Sequence, residues 1–184
     1  TDVDGIMTAD PRKVEDGITI PSLSYEEAIE MTHFGAKVIY PPTMVPAMNL
    51  GIPIHICNTF NPSGQRSVIS LNPAPSKYYI QGISSIDKMA LLNVQGCGMI
   101  GVVGIARRLF DTLAANNVNV ILISQASSEH SICVAMDPKS AVLAKKIVEE
   151  EFALEIQRRQ IDSISIEEDV SIIAVVGDAL RRRP

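Results

Sequence analysis

The chain has 184 residues, of which 46% are hydrophobic, so it can build the core of one domain or of two small ones. Its net charge of −5 argues against a general nucleic-acid-binding protein, which usually carries a basic surface. No apolar stretch reaches the ~18–20 residues of a membrane span, and no secretory signal pattern opens the sequence. Cys57, Cys97 and Cys133 have no metal-binding spacing, so we expect no metal site and a reducing, cytoplasmic setting.

The two ends of the sequence have patterns that are typical of the interior of a longer chain. Residues 1–12 form an Asp- and Thr-rich loop with a glycine turn. Residues 170–178 have the pattern of a buried strand, which usually requires a partner element after it. We therefore expect the sequence to be a segment of a longer protein.

The first half of the sequence predicts two helices. Ser24 is a favourable N-cap and acidic residues follow it, so one helix should begin there and end near residues 33–35. A second, shorter helix should run over residues 42–50, because Gly51 suits its C-terminal end.

A strand and a linker follow these helices. Residues 52–58 alternate in polarity, and Pro53 places the predicted strand at a sheet edge. Residues 70–77 are rich in Pro and Ser and predict a linker at a domain boundary.

The second half predicts elements in the order βαββαβ, an α+β arrangement with a ferredoxin-like fold. The strands are residues 89–94, 118–124, 131–136 and 164–166, and the helices are residues 102–116 and 138–157. Asp137 should cap the second helix, with Pro138 at its first position.

Gly96, Gly98 and Gly101 have the spacing of a dinucleotide-binding turn. However, no acidic residue follows about 20 residues later at the end of a second strand, and the next strand leads into a hairpin. NAD binding is therefore disfavoured. A turn whose N–H groups bind a small carboxylate agrees better with the sequence.

Other polar residues leave alternatives open. The residues Ser124, Gln125, Ser127, Ser128, Glu129 and His130 form either a solvated hairpin turn or one wall of an amino-acid pocket. Asp2, Asp4, Asp10 and Arg12 form either a solvated loop or a phosphate or metal site, and Lys37 is either a surface charge or a phosphate ligand. We interpret His33, His55 and Cys57 as structural.

Together, several motifs resemble the aspartate kinase family. Residues 1–12 resemble the nucleotide-binding motif at the end of its kinase domain, and residues 24–28 and 34–38 resemble the helix and loop that follow. Residues 58–62 are similar to the segment that leads to the regulatory region. Residues 98–106 and 123–132 resemble the family's first ACT domain.

The resemblance implies a division of the chain into four parts. Residues 1–50 would be the tail of the kinase domain, and residues 51–76 a strand and turn of a second ACT domain with the linker. Residues 77–169 would be the first ACT domain, and residues 170–184 the start of a truncated second ACT domain. No catalytic residue is expected in this segment, so it should not phosphorylate a substrate alone.

The resemblance also implies two sets of binding residues. Those that would contact Mg-ATP in the intact enzyme are Thr1, Asp2, Met7, Arg12 and Lys37. Those that would contact an effector amino acid are Met99, Ile100, Gly101, Asn119, Val120, Ile121 and Gln125.

The effector that the resemblance implies is threonine. Residues 125–130 look most like bifunctional aspartokinase–homoserine dehydrogenases, which sense threonine, whereas lysine-sensing relatives carry an acidic residue where Ile121 stands. Burial of an unpaired ammonium group beside Ile121 would cost several kcal/mol. A lysine-sensitive monofunctional aspartokinase and a free-standing ACT module are the alternatives. The family also implies a homodimer through ACT domains, while the charge and the apolar pattern argue against nucleic-acid and membrane partners.

Overall fold

The protein forms two compact units in a computed structural model that describes residues 1–36, 38–125 and 130–181. Unit 1 comprises Thr1–Ile86 and Ile172–Pro184, and unit 2 comprises Asp87–Ser171. Unit 2 is therefore inserted into the sequence of unit 1. The four-part domain division stays a prediction, because compactness alone does not identify the type of a domain.

The two helices of unit 1 begin and end close to their predicted limits. Helix α1 (Tyr25–His33) follows Ser24, whose hydroxyl accepts a hydrogen bond from the Glu27 amide while the Glu27 carboxylate accepts one from the Ser24 amide. This reciprocal pair is a capping box. Helix α2 (Pro41–Leu50) ends at Gly51, which has the left-handed φ of 67° that a glycine adopts without strain.

The sheet of unit 1 has three short strands. Strands β1 (Ser22–Ser24), β2 (Ile54–Cys57) and β3 (Arg66–Ser70) are arranged in the order β1-β3-β2. Strand β2 therefore lies at an edge, as Pro53 predicts. Among the described residues of this unit, the largest fully buried side chains are Ile6, Leu23, Met31, Met44 and Ile69.

A four-stranded sheet carries the predicted ferredoxin-like fold. The elements are β4 (Gly82–Gln95), α3 (Ile105–Ala115), β5 (Leu122–Gln125), β6 (Ser131–Met136), α4 (Pro138–Glu151), α5 (Ala153–Gln157) and β7 (Ser163–Val176). Its strand order is β5-β6-β4-β7, and β6 is antiparallel to both β4 and β5. This order confirms the α+β class that the βαββαβ pattern predicts.

One core holds the helices against the sheet in unit 2. Leu109 of α3 and Val148 of α4 are fully buried in the same cluster as Leu92 of β4 and Val134 of β6. The helices α3 and α4 also pack against each other. Both therefore cover one face of the sheet.

Helix α3 begins three residues later than predicted. Gly101 and Gly104 have φ values of +71° and +95°, which are outside the right-handed helical range. Regular helix is therefore delayed to Ile105, and Gly104 is its N-cap.

The other differences concern the limits of strands and of one helix. Residues 118–121 are not regular strand, and the predicted helix 138–157 is divided at Phe152 into α4 and α5. The strands predicted at 164–166 and 170–178 are one strand, β7, which passes through Asp169 at a φ of +58° and ends at Val176. A second positive φ, at Lys88, lies within β4.

Within the parts of the chain that the structure describes, no helix has both the length and the apolar character needed to cross a bilayer. The described residues also contain no group of three or more His, Cys, Asp or Glu side chains that could hold a metal ion.

Candidate functional site

A short hairpin in unit 1 carries Arg12. Residues 6–8 pair with residues 18–20 through the hydrogen bonds Thr8 N to Ile18 O and Ile20 N to Ile6 O, both 2.8 Å. The fully buried Ser67 fixes this pair, because its hydroxyl accepts from Ile6 N at 2.9 Å and donates to Ile20 O at 2.6 Å. Residues 9–17 form the Arg12 loop. Both ends of this loop are therefore held in place by hydrogen bonds.

Arg12 forms a two-point ion pair with Asp10. Its Nε donates to Oδ1 at 3.0 Å and its Nη2 to Oδ2 at 2.7 Å. These bonds, with one from the Arg12 amide, lower the pKa of Asp10 to about 2, so the carboxylate is ionised at neutral pH. The Arg12 side chain is still 80% exposed. It therefore presents a permanent positive charge that an incoming phosphate could contact.

The other residues predicted to contact ATP lie at different places in unit 1. Met7 lies on the same hairpin and bridges to Thr19. Thr1 and Asp2 are exposed, and the Thr1 carbonyl accepts a hydrogen bond from Thr59 N at 2.9 Å. Lys37 lies outside the described residues. The structure thus joins Met7 and Arg12 through one hairpin.

Unit 1 contains a cavity of about 590 Å³, which lies between residues 16–22 and residues 74–83. Thr8 also lines it, but none of the predicted ATP-contact residues that the structure describes does so. It is therefore separate from the predicted nucleotide contacts.

Gly96 and Gly98 are required for packing in unit 2. A Cβ atom at Gly96 would lie 2.2 Å from the Gln160 carbonyl oxygen, and one at Gly98 would lie 2.5 Å from Gln160 Cα. The amide between them, at Cys97, donates to an Asp162 carboxylate oxygen at 3.2 Å. These glycines therefore admit a neighbouring segment of the same unit, which explains two of the three glycines of the dinucleotide-like spacing without a dinucleotide.

Gly101 and Gly104 border open space instead. Among the described atoms, nothing lies within 4 Å of a Cβ placed on either of them. A cavity of about 460 Å³, the Gly101 cleft, opens beside them. The cleft is lined by Met99, residues 101–107, Gln125 and Ile132.

The Gly101 cleft combines an apolar floor with groups that attract a carboxylate. Met99 and Ile132 are buried, and Gln125 is exposed at the end of β5. The first turn of α3 has no side-chain cap and no acidic residue, so its positive end is available to an anion. Arg107 adds a guanidinium, which is 84% exposed and bonded at 3.2 Å to Asp111. This combination suits a small amino acid.

The cleft contains some of the predicted effector residues. Met99, Gly101 and Gln125 line it, and Ile100 between them is 56% exposed. Residues 119–121 are absent from the lining that the structure describes. In that segment Ile121 N donates to Ala135 O at 2.8 Å. Of the predicted pocket wall, residues 127–129 lie outside the described residues.

Sequence reasoning missed Gly104 and Arg107. The signal available in the sequence was Gly104, a second glycine three residues after Gly101. Gly104 delays the start of α3, so that the N-terminus of the helix lies at the cleft. A basic residue in a first turn, where acidic residues are favoured, was a second signal. Both residues became recognisable only after the start of α3 was known.

Comparisons with known proteins match both halves of the chain. Residues 1–58 match the amino acid kinase family and residues 92–152 match the ACT domain. A bifunctional aspartokinase/homoserine dehydrogenase from Haemophilus influenzae is 46% identical over 182 residues. That alignment covers 99% of this chain and 22% of the relative, so the chain spans about a fifth of that protein.

Solved aspartate kinases have the same fold. The enzyme from Clostridium acetobutylicum superposes with a TM-score of 0.83 at 28% identity, over 97% of this chain and 40% of that one. E. coli aspartokinase III in complex with aspartate and ADP superposes with a TM-score of 0.79 at 27% identity, over 100% and 40%. The chain therefore joins the end of an amino acid kinase family domain to an ACT domain, and its sequence and fold are similar to those of aspartate kinases over nearly its whole length.

Proposed function

We propose that the chain is the regulatory region, with the end of the kinase domain, of an enzyme that phosphorylates L-aspartate with ATP to give 4-phospho-L-aspartate. The observation that carries the proposal is the presence of a kinase segment and an ACT domain in one chain. A free-standing amino-acid-binding module would have no need of the kinase segment. The segment is expected to be inactive alone.

In the intact enzyme, Mg-ATP supplies the phosphoryl group and this chain contributes to holding it. The contacts come from Thr1, Asp2, Met7, Arg12 and Lys37. The exposed, permanently charged guanidinium of Arg12 supports this role, since Arg binds phosphate oxygens at two points. The ADP complex of E. coli aspartokinase III is a precedent for nucleotide binding in a protein of this fold.

The effector is threonine, bound in the Gly101 cleft. Its carboxylate would meet the first turn of α3 and Arg107, and its hydroxyl the amide of Gln125, which can both donate and accept. Met99 and Gly101 line one side of the cleft, and Ile100 lies between them in the sequence. The segment Asn119, Val120 and Ile121 does not line the described part of the cleft; it carries no charge, so it would offer no countercharge to a lysine ammonium.

Lysine is the second candidate effector. E. coli aspartokinase III has been solved in complex with lysine and aspartate, and its fold matches this chain with a TM-score of 0.76. The 46% identical relative, in contrast, is of the bifunctional class, which supports threonine. Whichever effector binds, its effect on ATP binding must be reciprocal, because a coupling free energy has the same value for both ligands.

Two single substitutions in the full-length enzyme test both halves of the proposal, and each is the control of the other. Arg12→Ala should raise the KM for ATP by roughly tenfold or more and leave inhibition by threonine unchanged. Gln125→Ala should raise the threonine concentration for half-inhibition by roughly tenfold and leave the KM for ATP unchanged. Lysine should inhibit weakly.

Three results would contradict the proposal. An unchanged KM for ATP in Arg12→Ala would exclude the nucleotide role of Arg12. Strong inhibition by lysine and none by threonine would transfer the effector assignment to lysine. Threonine binding without any effect on aspartate phosphorylation would favour a module that does not regulate the kinase.

A further inference from the structure

The beginning of β4 is bound to the hairpin that carries the Arg12 loop. Ile83 N donates to Thr8 O at 2.7 Å, and Thr8 N in turn donates to Ile18 O in the hairpin. A Cβ at Gly82 would lie 3.1 Å from the same Thr8 carbonyl oxygen, so a side chain at this position would crowd the hairpin. The base of the loop is thus held from one side by Ser67 and from the other by β4.

A side-chain hydrogen bond ties the loop itself to the same strand. Lys13 Nζ donates to Ser85 Oγ at 2.7 Å, two residues along β4 from Ile83. Lys13 directly follows Arg12, and Ser85 is half-buried. The strand therefore contacts the loop at the residue next to the proposed phosphate-binding guanidinium.

The loop is rigid enough for this contact to matter at Arg12. Lys13 N and Val14 N both donate to Asp10 O at 2.9 Å, and the Arg12 amide donates to Asp10 Oδ1 at 2.9 Å. Three successive amides thus bond to one aspartate and form a tight turn. Because neighbouring residues of such a turn cannot rotate independently, an anchored Lys13 also restricts the position of Arg12.

We propose that Ser85 is a positioning residue for nucleotide binding: its hydroxyl anchors Lys13 and so holds the Arg12 loop in the conformation that receives the phosphates of ATP. The proposal rests on the nucleotide role proposed for Arg12. Ser85 is uncharged, so it adds no attraction for phosphate of its own. Its effect must pass through the ammonium group that it holds.

Kinetics of the full-length enzyme test the proposal. Ser85→Ala should raise the KM for ATP by roughly three- to tenfold, because one hydrogen bond that orders the loop is lost. The kcat and the KM for aspartate should stay within about twofold, since no group at the reacting atoms changes. Ser85→Thr keeps the hydroxyl on a strand, where a β-branched residue is favoured, and should restore the KM.

Two further variants separate this route from a merely structural effect. Ser171→Ala is the matched control, because Ser171 on β7 also donates a side-chain hydrogen bond, to Asp87 Oδ1 at 3.2 Å, and both of these residues belong to unit 2. It should leave the KM for ATP unchanged. In a Lys13→Met background, Ser85→Ala should have no further effect, because the two residues act through one bond.

The possible results are distinguishable. If Arg12→Ala raises the KM for ATP but Ser85→Ala does not, the positioning role is wrong and the nucleotide role of Arg12 stands. If Ser85→Ala still raises the KM in the Lys13→Met background, Ser85 acts on the nucleotide directly and the proposal is overturned. If Arg12→Ala itself has no effect, the proposed nucleotide role fails, and the positioning role fails with it.

Discussion

Glu27 joins two backbone segments that are distant in the sequence. The residue is 4% exposed, and its carboxylate accepts from Ser24 N at 3.0 Å and from Asp178 N at 3.0 Å. The first bond closes the capping box of α1. The second holds Asp178, which lies two residues after the end of β7 and 151 positions from Glu27. The first bond could be predicted from the Ser-x-x-Glu spacing, whereas no local pattern indicates the second.

Glu27→Gln should therefore cost more than the loss of one helix cap. An amide offers only one oxygen, so its NH₂ group would face one of the two backbone donors in a buried place. We expect the free energy of unfolding to fall by about 2 kcal/mol. Denaturant unfolding of the full-length enzyme measures it.

Glu30→Gln is the control for Glu27, because it removes the same charge from an exposed position of α1. It should change the free energy of unfolding by less than about 0.5 kcal/mol. Equal effects of the two substitutions would mean that net charge, and not the buried hydrogen bonds, explains the contribution of Glu27.

At the scale of elements, Arg108 joins α3 to the junction of α4 and α5. Its guanidinium donates to the Glu151 carboxylate at 2.7 Å, to the Glu151 carbonyl at 2.9 Å and to the Glu155 carboxylate. It also stacks on the buried Phe152 ring, 4.6 Å from the centroid. The periodicity of residues 138–157 predicts one helix. The interruption at Phe152 coincides with these contacts to another element, and helical periodicity within one segment carries no information on such contacts.

Arg108→Met should weaken this junction. The methionine retains apolar contact but loses the hydrogen bonds, so we expect the free energy of unfolding to fall by about 1–2 kcal/mol, a value that allows for the partial exposure of the ion pairs. Arg107→Met, which removes the exposed pair with Asp111, should cost less than about 0.5 kcal/mol. Equal costs would contradict the role of Arg108.

The effect of Arg108 should also depend on pH. The hydrogen bond from Arg108 lowers the pKa of Glu155 below the ordinary value of a glutamate carboxyl group. A carboxylate with a lowered pKa in the folded state stabilises the protein above its ordinary pKa, and this contribution is lost as the pH falls through the folded-state pKa. The difference between wild type and Arg108→Met should therefore be greatest near neutral pH and shrink in acid.

At the scale of the whole molecule, apolar side chains are exposed around the Gly101 cleft. Val103 is fully exposed, and Ile100 and Ile123 are more than half exposed. We expect this face to lie in the homodimer contact between ACT domains, because isologous pairing is the commonest symmetry.

Light scattering of the full-length enzyme tests that contact. It should give twice the mass of one chain, and Val103→Asp should shift the mass towards the monomer. Val142→Asp, at an exposed position of α4, should not. A strict monomer at high concentration, with and without threonine, would refute the dimer.

The ferredoxin-like topology could be predicted because the order of apolar segments leaves few alternatives. The continuity of β7, in contrast, could not be predicted from the sequence. Asp169 adopts a positive φ within the strand, a conformation that is uncommon outside glycine, so the sequence is more readily interpreted as two strands that belong to different domains. The delayed start of α3 could not be predicted for a related reason, since the glycine-rich turn was expected to end at Gly101.

The insertion of unit 2 into unit 1 has a consequence for protein engineering. The chain crosses between the units only at residues 86/87 and 171/172, on β4 and β7, which are neighbours in the sheet. Asp87 and Ser171, beside the two crossing points, are hydrogen-bonded to each other. A sensor unit from another protein could therefore be grafted as a cassette through two adjacent junctions. A simple truncation at either junction would instead leave an unpaired strand edge that promotes aggregation.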